Sequence, residues 1–242
     1  MSIAENIAAI RENIARAARD AGREPSEITL IGASKKNDAA ACRAAIAAGI
    51  DALGENRVQE MTQKLSEHAY DGAPLHFIGH LQRNKAKQVV GKVDVIESVG
   101  SRELLGLIDA LAEKLGIVQD ILLEVNIGGE DAKSGFAPET VAEAALSAAA
   151  LPHVRLRGLM CIPPVAEEKH GSIPYFEKVR AVYVDINENL YHNRLDMLSM
   201  GMSGDYEDAV RCGATIVRVG TAILVREITC NDIERGKHPG HY

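Results

Sequence analysis

Apolar residues open the chain at Ile3, Ile7, Ile10 and Ile14, alternately four and three positions apart. That spacing lines them along one face of an α-helix, and Ser2 followed three residues later by Glu5 has the form of a capping box at its start. After this amphipathic helix the pattern changes. Short runs rich in Val, Ile and Leu alternate with Ala- and charge-rich stretches of helical length, with no low-complexity linker between them. The runs predict eight strands, at residues 28–34, 52–55, 75–79, 93–99, 121–127, 156–162, 197–201 and 214–220.

Strands that alternate with helices pair in parallel through right-handed crossovers. Eight such units in 242 residues predict an α/β fold: a single (β/α)8 TIM-type barrel with an extra N-terminal helix. An open Rossmann or flavodoxin-like sheet is the alternative, but it does not require eight units, and no G-x-G-x-x-G follows the first strand. The barrel is assigned to residues 1–228 and a C-terminal tail to 229–242.

A hydrophobic content of 46% suffices for a large core. The net charge of −7, from 27 Lys+Arg against 34 Asp+Glu, argues against a nucleic-acid or anionic-membrane partner. Arg83, Lys85 and Lys87 form a short basic cluster without aromatic neighbours, which reads as a solvated helix start. No apolar stretch reaches the length of about eighteen residues that spans a bilayer, and Glu5, Arg11 and Glu12 interrupt any signal-peptide core, so a cytoplasmic protein is expected. Cys42, Cys161, Cys212 and Cys230 are far apart with no C-x-x-C pair, which predicts reduced thiols and no metal centre.

In a barrel of this kind the loops after the strands form the active face, and the loops after strands seven and eight commonly hold a phosphate. Strand seven runs into Ser199-Met200-Gly201-Met202-Ser203-Gly204-Asp205 and then a helix start, while strand eight ends Arg218-Val219-Gly220-Thr221. Glycine amides, hydroxyls and a helix N-terminus suit an anion. Asp205 would repel one, unless its carboxylate turns to cap the helix. Strand eight of a closed barrel pairs with strand one, which ends Ala33-Ser34-Lys35-Lys36. A lysine there lies beside the phosphate loops and suits a nucleophile for an aldehyde. Alternation sends Lys35 and Lys36 to opposite faces and leaves open which one enters the barrel mouth.

Several further segments stand in order along the chain: Gly54-Glu55-Asn56-Arg57-Val58-Gln59-Glu60, His76-Phe77-Ile78-Gly79-His80-Leu81-Gln82-Arg83-Asn84-Lys85, Lys133-Ser134-Gly135-Phe136 and Gly158-Leu159-Met160-Cys161-Ile162-Pro163-Pro164. With Ser34-Lys35, Ser199 to Asp205 and Arg218 to Ala222, they make the chain resemble, almost end to end, the pyridoxal phosphate homeostasis proteins. Those share their barrel with the N-terminal domain of alanine racemase. The resemblance implies a protein that binds pyridoxal 5′-phosphate (PLP) and buffers or delivers it, as a monomer or weak dimer that is not an enzyme. By the same resemblance Lys35 forms the imine with PLP. Ser203, Gly204, Gly220 and Thr221 bind the phosphate, Arg218 faces the pyridine nitrogen, and Asn56 lies near the cofactor; no catalytic residue is assigned. Apo PLP-dependent enzymes are the implied partners.

Two departures stand out. Asn37 and Asp38 occupy positions where the family often has Lys and Pro, and the tail beyond residue 228 is longer than usual. An arginine at the ring nitrogen cannot give up a proton, which weakens the electron sink of the cofactor; a buried arginine paired with a carboxylate is the plainer reading of Arg218. An amino-acid racemase of the same barrel type is the competing function. It needs a second base opposite the lysine, which racemases of this type take from a partner chain through an additional domain. A pure interaction protein that senses PLP is a third possibility.

Overall fold

Ser2 and Glu5 form the expected reciprocal cap: Ser2 Oγ accepts from Glu5 N at 3.2 Å, and Glu5 Oε2 accepts from Ser2 N at 2.7 Å. Helix α1 (Ile3–Asp20) follows and buries Ile3, Ile7, Ile10 and Ile14 together with Ala17 and Ala18. The computed structural model describes residues 1–130, 134–166 and 168–224. The tail at 229–242, with Cys230, His238 and His241, lies outside the described residues, as does Lys133.

Eight parallel strands close into a barrel in sequence order. They are β1 (Thr29–Ala33), β2 (Ala52–Glu55), β3 (Leu75–Phe77), β4 (Val95–Val99), β5 (Gln119–Val125), β6 (Val154–Cys161), β7 (Met197–Ser199) and β8 (Ile216–Val219). The outer layer adds α2 (Ala39–Ala47), α3 (Val58–Ser66), α4 (Arg102–Leu115), α5 (Val141–Ala149), α6 (Ile173–Asn189), α7 (Tyr206–Arg211) and α8 (Thr221–Leu224). The crossover from β3 to β4 carries a 3₁₀ helix, Arg83–Gln88, in place of an α-helix, and the basic cluster sits on it.

The barrel and the additional N-terminal helix are as the sequence pattern predicts, and β2 has the expected bounds. The other strands differ by one to several residues at their ends, for identifiable reasons. Strand β5 begins two residues before its apolar run, because Gln119 is a buried polar residue whose amide accepts from Gly91 N and donates to the carbonyls of Val93, Asp94 and Asp120. Strand β6 likewise starts early: Arg155 stays exposed at the rim while its guanidinium pairs with Asp120 at 2.6 Å. Strand β7 stops short of 201 because Gly201 has φ +93, although its carbonyl still accepts from Arg218 N at 3.0 Å.

Large apolar side chains between strands and helices form the main core, whereas the barrel interior holds two small apolar clusters. One comprises Ile31, Ala52 and Ile216, the other Val95, Leu122 and Met160, and Met197 packs against both. Helix α1 ties down the two helices that follow the last strands. Asn6 Nδ2 donates to Ile223 O at 3.1 Å, Asn13 Nδ2 to Tyr206 Oη at 2.9 Å, and Arg23 to the carbonyls of Val210 and Ala214. The first helix and the last two described helices, far apart in sequence, are thereby joined.

Gly158 pairs with Met197, and a Cβ at Gly158 would stand 1.6 Å from Met197 O. Gly158→Ala must therefore separate β6 from β7, and a loss of about 1–3 kcal/mol is expected, as for other overpacked core sites. Gly106, exposed in the middle of α4, has nothing within 4 Å of the corresponding position. Gly106→Ala should raise stability by roughly 0.5–1 kcal/mol. Urea midpoints of the two variants check both signs; a Gly158→Ala protein as stable as wild type would contradict the close β6–β7 approach.

Candidate functional site

The first strand ends in a turn. Along β1, Ile31 belongs to the interior cluster with Ala52 and Ile216, and Lys35 lies in the turn two residues past the end of the strand. The strand itself ends at Ala33, and Lys36, in the turn that follows, adopts φ +62. Both lysines are exposed and line a cavity of about 360 Å³, with Arg57, Glu60, Gly220 and Thr221 on its other sides. Asp38, where the resembling family often has Pro, caps α2: its Oδ1 accepts from Ala41 N at 2.8 Å.

Gly220 meets the first strand because β8 pairs with β1 in the register Ile31↔Arg218 and Gly32↔Val219. A Cβ on Gly220 would lie 3.2 Å from Ala33 O, closer than nearly all such contacts, so the missing side chain is what lets the β8 loop close over the end of β1. Lys35, Gly220 and Thr221 are thus brought together as the sequence suggests.

Asn56 immediately follows β2, whose register with β1 runs as far as Ala33↔Gly54. Its backbone lies directly over Gly79, where a Cβ would stand 2.1 Å from Asn56 O. Asn56 Oδ1 is buried and has no hydrogen-bond partner. Buried polar atoms are rarely left so, and an acceptor of this kind at a barrel mouth fits a donor group on a ligand.

Arg218 is 3% exposed and sits inside the barrel. Its Nη1 donates to Ser199 Oγ at 2.5 Å and lies 3.8 Å from Glu97 Oε2, while Nη2 donates to Cys161 O at 2.9 Å. Ser199 Oγ in turn donates to Glu97 Oε2 at 2.6 Å, and His76 Nδ1 lies 2.6 Å from Glu97 Oε1. Burial would raise the Glu97 carboxyl, but the hydrogen bond and charge of His76, then Arg218 and Ser199, outweigh it and hold the group below the ordinary carboxylate value. The carboxylate and guanidinium therefore stay charged together. The arginine–carboxylate pairing considered from sequence is present, and it anchors one end of the guanidinium across the barrel.

The β7 loop contributes Ser203 and Gly204, both exposed. They line a second and larger cavity of about 610 Å³ with the β6 loop, and not the cavity that holds Lys35. Asp205 does not cap α7. Its Oδ1 accepts from Met202 N at 2.7 Å and its Oδ2 from Ser172 Oγ at 2.9 Å, so the carboxylate is turned into the loop and stitches it to the β6–α6 connection. The carboxylate nevertheless borders the same cavity as Ser203 and Gly204.

Sequence reasoning passed over Glu97, although a carboxylate in the middle of the apolar run Val95-Ile96-Glu97-Ser98-Val99 is itself a signal of a buried charge with a partner. His80 is exposed after β3. Cys42 and Cys161 are buried free thiols and Cys212 is half-buried; burial pushes the Cys161 thiol up to about 12 and that of Cys212 up to about 11. No cluster of metal-ligating side chains occurs among the described residues, and none of the described helices is long and apolar enough to cross a membrane.

Residues 6–226 match the family model for the alanine racemase N-terminal domain. The pyridoxal phosphate homeostasis protein of Aquifex aeolicus is 41% identical over 224 residues, covering 93% of this chain and 98% of that one. Its counterpart from Pseudomonas aeruginosa is 40% identical over 226 residues, covering 92% and 95%. Among solved structures, PipY of Synechococcus elongatus PCC7942 with PLP bound superposes with a TM-score of 0.80 at 34% identity, covering 93% of this chain and all of that one. Alanine racemase of Clostridium difficile shares the fold at a TM-score of 0.64 and 15% identity, with 57% of its length matched. With a barrel closed in this register and relatives of this identity over nearly its whole length, the chain belongs to the pyridoxal phosphate homeostasis protein family, built on the alanine racemase N-terminal-domain fold.

Proposed function

We propose that this protein binds PLP covalently through Lys35 and serves to hold and hand on the cofactor, without running a standard PLP reaction. The observation that carries the reading is that Lys35 and the close-packed Gly220-Thr221 turn share one cavity, with the partnerless buried Oδ1 of Asn56 at the end of the neighbouring strand β2. The bound PLP of the PipY structure and the names of the curated relatives support the choice of cofactor. When bound, PLP supplies an aldehyde that condenses with an amine and a ring able to withdraw electrons.

The chain's own residues divide the work. Lys35 Nζ is the amine. Backbone N–H groups of the Gly220-Thr221 turn and of Ser203-Gly204, with the Ser203 and Thr221 hydroxyls, are donors suited to a phosphate on the rim. Arg218, held by Ser199 and Glu97, presents a permanent cation toward the ring nitrogen and cannot pass it a proton. A ring left without that proton is a weak electron sink, which favours retention and release over racemisation. Apo PLP-dependent enzymes are then the recipients, and both exposed lysines border an open cavity through which the cofactor can leave.

Purified protein soaked with PLP should absorb in the visible, and borohydride should fix the label on the peptide that contains Lys35. A label on Lys36, or none, would sink the assignment. Ser203→Ala combined with Thr221→Val should weaken PLP binding far more than pyridoxal binding, since each hydrogen bond to a charged group is worth on the order of 1.5–3 kcal/mol. Equal losses for the two ligands would remove these hydroxyls from the phosphate site. Loaded protein should restore activity to an apo aminotransferase while chiral analysis finds negligible racemisation of alanine or serine. Racemisation at ordinary enzymatic turnover, abolished by Lys35→Ala, would decide for the enzyme.

A further inference from the structure

A second buried charge cluster lies on the other face of β1 and β2, behind the lysine turn, and the function above leaves it unused. Glu55 Oε1 accepts three hydrogen bonds: from Ser34 Oγ at 2.5 Å, Lys64 Nζ at 2.5 Å and Tyr70 Oη at 2.8 Å. Lys64 Nζ also donates to Ser34 O at 2.7 Å. Glu55 and Ser34 are fully buried, and Lys64 and Tyr70 are each 6% exposed. Burial and then the Glu55 charge push the Tyr70 phenol up, so it remains a donor.

Taking an ion pair out of water carries a large desolvation penalty that apolar side chains of the same volume would avoid, so a buried pair is better evidence of specified geometry than of stability. The geometry it specifies here is that of one peptide. Ser34 immediately precedes Lys35, and the cluster holds both its hydroxyl and its carbonyl; the same carbonyl accepts from Asn37 N at 3.1 Å. On the other side of Lys35, Lys36 N donates to Glu60 Oε2 at 2.9 Å, and Asn37 Nδ2 donates to Lys35 O at 3.1 Å. Lys36 has φ +62, a conformation that a non-glycine residue holds only when its surroundings impose it. The imposed contacts come from Glu55 at the end of β2 and from Glu60 and Lys64 one turn apart on α3.

We propose that Lys64 and Glu55 are positioning residues: their buried pair clamps the Ser34–Lys35 peptide from behind and so aims Lys35 Nζ into the cavity. The inference rests on the PLP reading and deepens it. Condensation of the neutral amine joins its nitrogen to the aldehyde carbon, and the aldehyde oxygen leaves as one water that carries the amine's two hydrogens, so it needs no oxidant or reductant. It does need the nitrogen held at bonding distance and angle, and misplacement by about 1 Å can lower such a rate by up to a hundredfold.

The test compares wild type with Lys64→Met and with the double variant Glu55→Gln/Lys64→Met, which leaves no unpaired buried charge if the single variant fails to fold. Two ligands are used: PLP, followed by its visible imine band and by borohydride-fixed label on Lys35, and pyridoxine 5′-phosphate, which has the ring and phosphate but an alcohol in place of the aldehyde. The rate of imine formation should fall roughly ten- to a hundredfold in these variants, while affinity for pyridoxine 5′-phosphate stays within about threefold, a difference under about 0.7 kcal/mol. Glu60→Ala, which removes a single anchor from a half-buried side chain, should shift the imine rate in the same direction by less. Parallel losses for both ligands, or unchanged imine formation in folded variants, would overturn the clamp. Failure of wild type itself to form an imine would instead overturn the PLP reading, and the clamp with it.

Discussion

The parallel pairing of β8 with β1 is the constraint on which the rest of this molecule depends. It closes the barrel, and its register, Thr29↔Ile216 through Gly32↔Val219, determines that the turn after the last strand meets the turn after the first. Without that closure Lys35 and Thr221, far apart in sequence, would have no reason to share a cavity. The fit at the seam depends on Gly220, whose absent Cβ lets Ala33 O approach. Helix α1 reinforces the seam from outside by bonding to elements on the far side of it, at Tyr206 and Ile223.

Two buried charge networks flank the lysine turn, one inside the barrel and one outside it. The inner one runs from His76 through Glu97 and Ser199 to Arg218, across strands β3, β4, β7 and β8. The outer one joins Glu55, Lys64, Tyr70 and Ser34. Isolated charges in a protein interior would neutralise or unfold it; in both networks each charge has an opposite partner, the carboxylates accept from neutral hydroxyls and the cations donate to neutral oxygens, with Glu55 Oε2 alone among these carboxylate oxygens left without a partner. Such arrangements permit few alternative packings. The outer network holds the Ser34 carbonyl next to Lys35, while the inner one ties four strands together inside the barrel.

The separation of the two loops after β7 and β8 is informative about how the cavity is built. Ser203 and Gly204 border the larger depression under the β6 loop, while Gly220 and Thr221 border the lysine cavity. Gly201, at φ +93, lets α7 pack close: a Cβ there would stand 2.5 Å from that of Ala209. The carbonyl of Gly201 accepts from Arg218 N, so the two loops leave the barrel from adjacent, hydrogen-bonded positions before diverging. A ligand that engages both loops must bridge the two cavities.

Local patterning determined much of this protein. The four-and-three spacing of isoleucines and the Ser2–Glu5 cap specify α1, because both depend only on residues within one turn of each other. The alternation of apolar runs with helical stretches specifies the barrel, since parallel neighbours require a crossover. Strand ends were decided by the tertiary structure wherever a polar residue entered the sheet: Gln119 and Arg155 belong to strands only because Asp94 and Asp120 on neighbouring strands or connections receive their hydrogen bonds. The same holds at the candidate site. Ser34-Lys35 and the glycine-hydroxyl loops were legible as motifs, but that both lysines border one cavity with Gly220 and Thr221 depends on β1 being registered against β8, and the left-handed turn at Lys36 is held by Glu60. That Asp205 turns away from its helix, that Glu97 reaches Arg218 and that Lys64 reaches Ser34 are facts about residues brought together across separate strands and helices, and pairings of that kind leave no period in a sequence.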